Sequence, residues 1–259
     1  MGNEQLLLRI KNIQKYYGSN NNNIVKALDD ISFDVNEGEF LGIMGASGAG
    51  KTTLLNCIST IDNVSAGYIT LKGQEITMLK DKMLARFRRE NLGFIFQDFS
   101  LLDNLTIYDN IALALTINGV ASIEIREKVN KIAKQLGIYD ILQHYPYEAS
   151  GGQKQRCACA RAIINSPKLV LADEPTGALD SHSAQMLLET MHDMNEKLNT
   201  TFIMVTHDAL SASYAKRVIF LKDGKIYIEL QKGEKGRRQF FNEILDVVAL
   251  LGGEQKRVS

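Results

Sequence analysis

Gly45-Ala46-Ser47-Gly48-Ala49-Gly50-Lys51-Thr52 is the stretch on which the fold turns. It follows "EFLGIM", a short apolar run suited to a buried strand, and it leads into "TTLLNCIST", which reads as a helix. The glycines let the backbone wrap closely round a phosphate chain and aim several N–H groups inward. A helix starting near Lys51 adds the positive end of its dipole. Lys51 would neutralise β- and γ-phosphate oxygens, and the Thr52 hydroxyl would ligate Mg²⁺.

Upstream of this loop, residues 5–16 and 24–35 read as two strands. In the second, Ile31, Phe33 and Val35 alternate with Ser32 and Asp34. "GSNNNN" between them is a polar connection, too short to be a linker. Downstream, "GYITLKG" reads as a short strand, and residues 100–165 turn helical, with Val129, Ile132, Ala133 and Leu136 at helical spacing before Gly137. "KLVLAD" and "TFIMVTH" are buried-strand candidates separated by a helix over 184–198, an order that predicts a parallel sheet with right-handed crossovers. "VIFLKDGKIYIEL" reads as a hairpin turning at Asp223-Gly224. In the tail, Phe240, Phe241, Ile244, Leu245 and Val248 are expected on one helix face, preceded by the basic residues Lys232, Lys235, Arg237 and Arg238.

Several further residues carry chemistry. Asp173-Glu174 ends the apolar run "KLVLAD", and the carboxyl end of a buried parallel strand is where such folds bind ligands. Asp173 would hold Mg²⁺ and Glu174 would act as general base on water, against the plainer reading of an acidic cap before Pro175. Ser150-Gly151-Gly152-Gln153 has the spacing of a capping box, and the same geometry makes an anion site suited to a γ-phosphate. His207 follows "FIMVT": it is either an ordinary surface or core histidine or a contact for the γ-phosphate that orients Glu174. Gln97 ends "LGFIF", as an uneventful strand end or as a ligand to Mg²⁺ and the lytic water. Tyr17, beside Gly18, is either a strand-end tyrosine or a platform for adenine.

Composition narrows the classes. Apolar residues make up 45% and charged residues 23% of 259, which excludes a mainly disordered chain. Lys+Arg and Asp+Glu are both 30, so no global charge points to nucleic acid. Cys157-Ala-Cys159 lacks zinc spacing, and with Cys57 it reads as buried, reduced thiols of a cytosolic protein. "MGNEQLLLRI" is not a signal peptide, and Leu6 stands where a myristoylation signal needs Ser or Thr. No run approaches the roughly 20 mostly apolar residues of a membrane span, so any membrane role needs a separate partner.

Taken in order, Tyr17, "GASGAGKTT" ending in Thr53, Gln97, "SGGQ", "LVLADE", "ALD" ending in Asp180, and His207 resemble the motifs of the ATP-binding cassette (ABC) transporter ATPases across about residues 6–225. Ala149 departs from the family's usual Leu before "SGGQ". The resemblance implies an α/β fold: a P-loop NTPase core with a mostly parallel sheet, an antiparallel β subdomain and an α-helical subdomain. It implies one ATPase domain over 1–225, with its core at about 1–97 and 160–225 and its helical part at about 98–159. Residues 226–259 would be a C-terminal extension.

The resemblance also implies that ATP and Mg²⁺ bind in a head-to-tail dimer, each ATP between one copy's Gly45–Thr53 loop and the other's Ser150–Gln153, with Asp180 at the seam. "LLDNLTIYDN", "ADEPTGALDS" and "MVTHD" look like the macrolide-export, lipoprotein-release and cell-division subgroup. "ASYAKRVIFLKDG" and the tail look closer to the ATPases of bacitracin- and lantibiotic-resistance transporters. That likeness implies a permease partner, often with a sensor histidine kinase, and a place on the cytoplasmic face of the membrane. Lipoprotein release, a cell-division signalling role, and a soluble cassette of DNA repair or translation are the competing expectations.

Overall fold

The computed structural model describes residues 5–18 and 24–255. Met1–Glu4 and Ser19–Asn23, which held the N-terminal reading and most of the polar connection, lie outside them. The chain opens with β1 (Leu6–Tyr17), β2 (Val25–Asn36) and β3 (Phe40–Gly45), and then α1 (Lys51–Ile58). β4 (Ala66–Leu71) and β5 (Gln74–Glu75) lead to α2 (Asp81–Asn91), β6 (Leu92–Ile95), α3 (Ile107–Ile117), α4 (Ser122–Gln135) and α5 (Gly151–Ile163). β7 (Leu169–Asp173), α6 (Ser181–Leu198), β8 (Phe202–Val205) and α7 (Ala209–Ala212) follow. The chain closes with β9 (Arg217–Lys222), β10 (Lys225–Gln231) and α8 (Arg237–Gln255).

The chain forms two units, one of residues 1–78 with 203–259 and one of residues 79–202. In the first, β2, β1, β4 and β5 make an antiparallel sheet. Alternation sets its register: Ile10 faces Phe33 and Ile13 faces Ile31, all buried, while Arg9 pairs across the strands with Asp34 on the wet face at 2.8 Å. β3 runs parallel to β9. Its residues from Phe40 to Met44 are all buried, as a strand covered on both faces requires. β9 and β10 form the expected hairpin, with Asp223 and Gly224 both at positive φ (49° and 75°), the pair of conformations of a type I′ turn. The turn is tied down by Asp29 N–H donating to the Gly224 carbonyl at 2.8 Å.

α8 belongs to this unit and packs on α7. The stripe it buries is Phe240, Ile244 and Val247, at i, i+4 and i+7, whereas Leu245 and Val248 are 42% and 38% exposed. The sequence reading placed the stripe about one position round the helix. The basic lead-in is engaged rather than merely solvated: Lys235 pairs with Glu243 at 2.6 Å, and the Arg237 guanidinium lies 4.4 Å from the Tyr214 ring centroid. Truncating the fully buried Phe240 to Ala is expected to cost about 3–5 kcal/mol of stability. The check is the midpoint of thermal or denaturant unfolding.

In the second unit β6 and β7 pair in parallel, and α5 packs on β6, α3 and α6. The contact of α5 with β6 is close because Gly93 has no side chain: a Cβ there would stand 2.3 Å from the Ala162 carbonyl oxygen. α4 ends as its sequence suggests, with Gly137 at φ 62° just past the last turn. Among the described residues no helix is long and apolar enough to cross a membrane.

Candidate functional site

The first unit carries the glycine loop between β3 and α1. Gly50 is the residue before α1 and holds φ 98°, and a Cβ on it would meet the Ala27 carbonyl oxygen at 2.5 Å. Only glycine fits there without strain. A Cβ on Gly45 would likewise meet the Leu221 carbonyl oxygen at 2.4 Å. Ala46, Ser47 and Gly48 are exposed, so the loop's outer rim is open to solvent. Lys51 Nζ donates to the carbonyls of Gly45 and Ala46 at 2.9 and 3.0 Å, which fixes the lysine over the loop. No acidic residue lies in the first turn of α1, so nothing there opposes an anion. Thr52 is exposed and Thr53 half-buried.

Tyr17, the last residue of β1, is 41% exposed. Its phenol donates to Asp62 Oδ2 at 2.6 Å. Desolvation, and then the bond to Asp62, raise its pKa. Burial pushes Asp62 upward too, but hydrogen bonds from Lys15 and Tyr17 outweigh it and hold the carboxyl below its ordinary value. His207 lies exposed just past β8.

The second unit carries the remaining candidates. Asp173 ends β7, and Glu174 follows it in the left-handed region at φ 45°. A non-glycine residue there is strained, which is common where a side chain is aimed for a task. The Gln97 amide rests where Gly177 lacks a side chain: a Cβ on Gly177 would lie 2.9 Å from Gln97 Nε2.

Ser150 and Gln153 form the capping box in full. Gln153 N–H donates to Ser150 Oγ at 3.3 Å, and Ser150 N–H donates to Gln153 Oε1 at 2.8 Å. A Cβ on Gly152 would meet Ser183 Oγ at 2.7 Å, so this glycine answers to close packing on α6. Asp180 caps α6 by accepting from Ser183 N–H at 3.0 Å, and that bond holds its carboxyl below the usual range.

Sequence reasoning missed two supports in this unit. Gln155 is fully buried, and its Nε2 donates to the carbonyls of Pro175 at 2.7 Å and Phe96 at 3.2 Å. One buried amide therefore ties the residue after Glu174 to the residue before Gln97. Arg161 donates to the carbonyls of Phe99 and Ser100, both at positive φ, and so pins the turn that follows Gln97. A Gln two residues before the small, apolar run "CACA" of the same helix was the available signal for the first; nothing local marked the second.

The sequence profile of the family described as "ABC transporter" matches residues 28–177, more than half of the chain. The chain belongs to the ABC transporter family. The cassette is 51% identical over 251 residues to the bacitracin export ATP-binding protein BceA of Halalkalibacterium halodurans, covering 96% of this chain and 98% of that one. It is 40% identical over 220 residues to the lipoprotein-releasing system ATP-binding protein LolD of Bacteroides thetaiotaomicron, covering 85% and 99%. Its fold matches a dimeric post-hydrolysis state of the ATP-binding cassette MJ0796 bound to ADP and Pi, with TM-score 0.80 and 35% identity over 87% of this chain and 98% of that one.

The cassette is therefore an ATP-binding ATPase subunit with the expected α/β fold. The first unit brings together Tyr17, the Gly45–Thr53 loop and Lys51. The second brings Gln97 against Gly177 and, through Gln155, ties its segment to that of Glu174. Thr52 in the first unit, and Gln97 and Asp173 in the second, each carry a hard oxygen donor of the kind that suits Mg²⁺ rather than zinc. Among the described residues no group of three or more His, Cys, Asp or Glu forms a metal cage, and Mg²⁺ beside a triphosphate takes few protein ligands.

Proposed function

We propose that this chain is the motor subunit of a transporter that removes or exports antimicrobial peptides of the bacitracin type. The observation that carries this reading is the extent of the likeness to BceA, which runs over 96% of the chain against 85% for LolD. Two copies would meet head to tail, each ATP lying between one copy's Gly45–Thr53 loop and the other's Ser150–Gln153; that MJ0796 is dimeric supports the pairing itself. The partner would be a membrane-embedded permease, reached from the cytoplasmic face. A sensor kinase attached through that permease belongs to the same proposal.

In this reading Lys51 and the loop's N–H groups hold the β- and γ-phosphates, and Tyr17 stacks on the base. Thr52, Gln97 and Asp173 would hold Mg²⁺, whose charge would offset that of the phosphates. Glu174 takes a proton from water as the water oxygen bonds to the γ-phosphorus and the bond to ADP breaks. His207 orients Glu174 and contacts the γ-phosphate, while Asp180 lines the seam.

The test is made in cells. Replacing the chain with its Glu174→Gln variant is expected to lower bacitracin tolerance and leave lipoprotein sorting unchanged. Unchanged tolerance with missorted lipoproteins would transfer the chain to lipoprotein release, which the likeness to LolD favours.

A further inference from the structure

We propose that Asp62 and Lys15 are positioning residues for nucleotide recognition: together they lock the Tyr17 ring so that one face is committed to a cation and the other is presented to the base. The inference rests on the reading above, in which Tyr17 stacks on the base.

Tyr17 sits at the end of a strand, next to Gly18 at φ 113°. A half-exposed aromatic at such a place has several rotamers open to it, and fixing one on binding weakens affinity. Here the ring is already fixed. Its phenol donates to Asp62 Oδ2 at 2.6 Å. The other carboxylate oxygen, Oδ1, accepts from Lys15 Nζ and, at 2.8 Å, from Asn63 N–H. Lys15 Nζ also donates to the Asn63 carbonyl at 2.7 Å and lies 4.8 Å from the Tyr17 ring centroid.

Lys15 is itself mostly buried, so its ammonium is a fixed part of the site rather than a roaming surface charge. It holds one ring face by cation–π attraction, and a flat ligand is left the opposite face. The Thr53 side chain, two residues past the phosphate-binding Lys51, neighbours the same phenol and pulls against its raised pKa. The ring's place is thereby set from the glycine loop at one end and from the segment after α1 at the other. Base and triphosphate are then recognised at a preset separation.

The experiment measures affinity for ATP and for inorganic tripolyphosphate, a probe with no base, both with Mg²⁺, and follows the ratio of the two. In the Tyr17→Ala variant that ratio should collapse. In Asp62→Ala and Lys15→Met it should fall about fivefold to tenfold with tripolyphosphate affinity unchanged. Tyr17→Phe keeps the ring and loses the phenol: it should match Asp62→Ala, and the double variant should be no worse than either alone.

If Tyr17→Ala leaves the ratio intact, the stacking role of Tyr17 falls and this inference with it. If Tyr17→Ala collapses the ratio while Asp62→Ala and Lys15→Met keep it, stacking stands and the positioning role is overturned. Equal weakening of both probes in Asp62→Ala, with a lowered melting midpoint, would make Asp62 a structural residue only.

Discussion

Glu174→Gln is expected to bind ATP as the parent chain does and to hydrolyse it at least about a hundredfold more slowly. The amide keeps the shape of the side chain and the left-handed backbone at φ 45°. It removes only the capacity to take a proton from water. Gln155 still ties Pro175 to Phe96 through its two hydrogen bonds, so the surroundings persist and the loss is chemical. With hydrolysis blocked, the ATP-bound pair should accumulate. Phosphate release at saturating ATP measures the first effect, and light scattering of the eluted species with and without ATP measures the second. Normal turnover would remove Glu174 from the role of base.

Lys51→Ala is expected to weaken ATP binding by about 10- to 150-fold, because a hydrogen bond to a charged group is worth about 1.5–3 kcal/mol. Lys51 is the only cation within the glycine loop sequence, and Nζ is already held over the carbonyls of Gly45 and Ala46. The variant loses the charge opposite the phosphates and also the two bonds that hold the loop's first turn. Titration calorimetry with ATP reads the affinity, and a melting curve without nucleotide separates loss of charge from loss of fold. Unchanged affinity would count against the phosphate-binding role of the loop.

How legible this molecule was depends on the range of the interaction concerned. The glycine loop, the capping box at Ser150 and the turn at Asp223-Gly224 are each decided within a few residues, and each stands where its sequence places it. α2 was passed over: "DKMLARFRREN" is mostly charged and buries little beyond Phe87 and Asn91, so it offers almost no apolar period to read. In α8 the period was right, but five apolar residues span more than one face, and only packing on α7 selects Phe240, Ile244 and Val247. The grip of Asp62 on Tyr17 joins residues 45 apart in the chain, and that of Gln155 on Phe96 joins residues 59 apart. No window of sequence contains either pair.

Cys57, Cys157 and Cys159 are all buried, and burial pushes each thiol up to about 12. Near neutral pH each thiol therefore keeps its proton and lacks the charge that alkylating reagents and peroxides attack. The folded chain is in effect blind to both, and a labelled sulfur records an opening event. Cys57 lies in one unit and the other two in the second, so the order in which they are modified gives each unit its own clock of exposure.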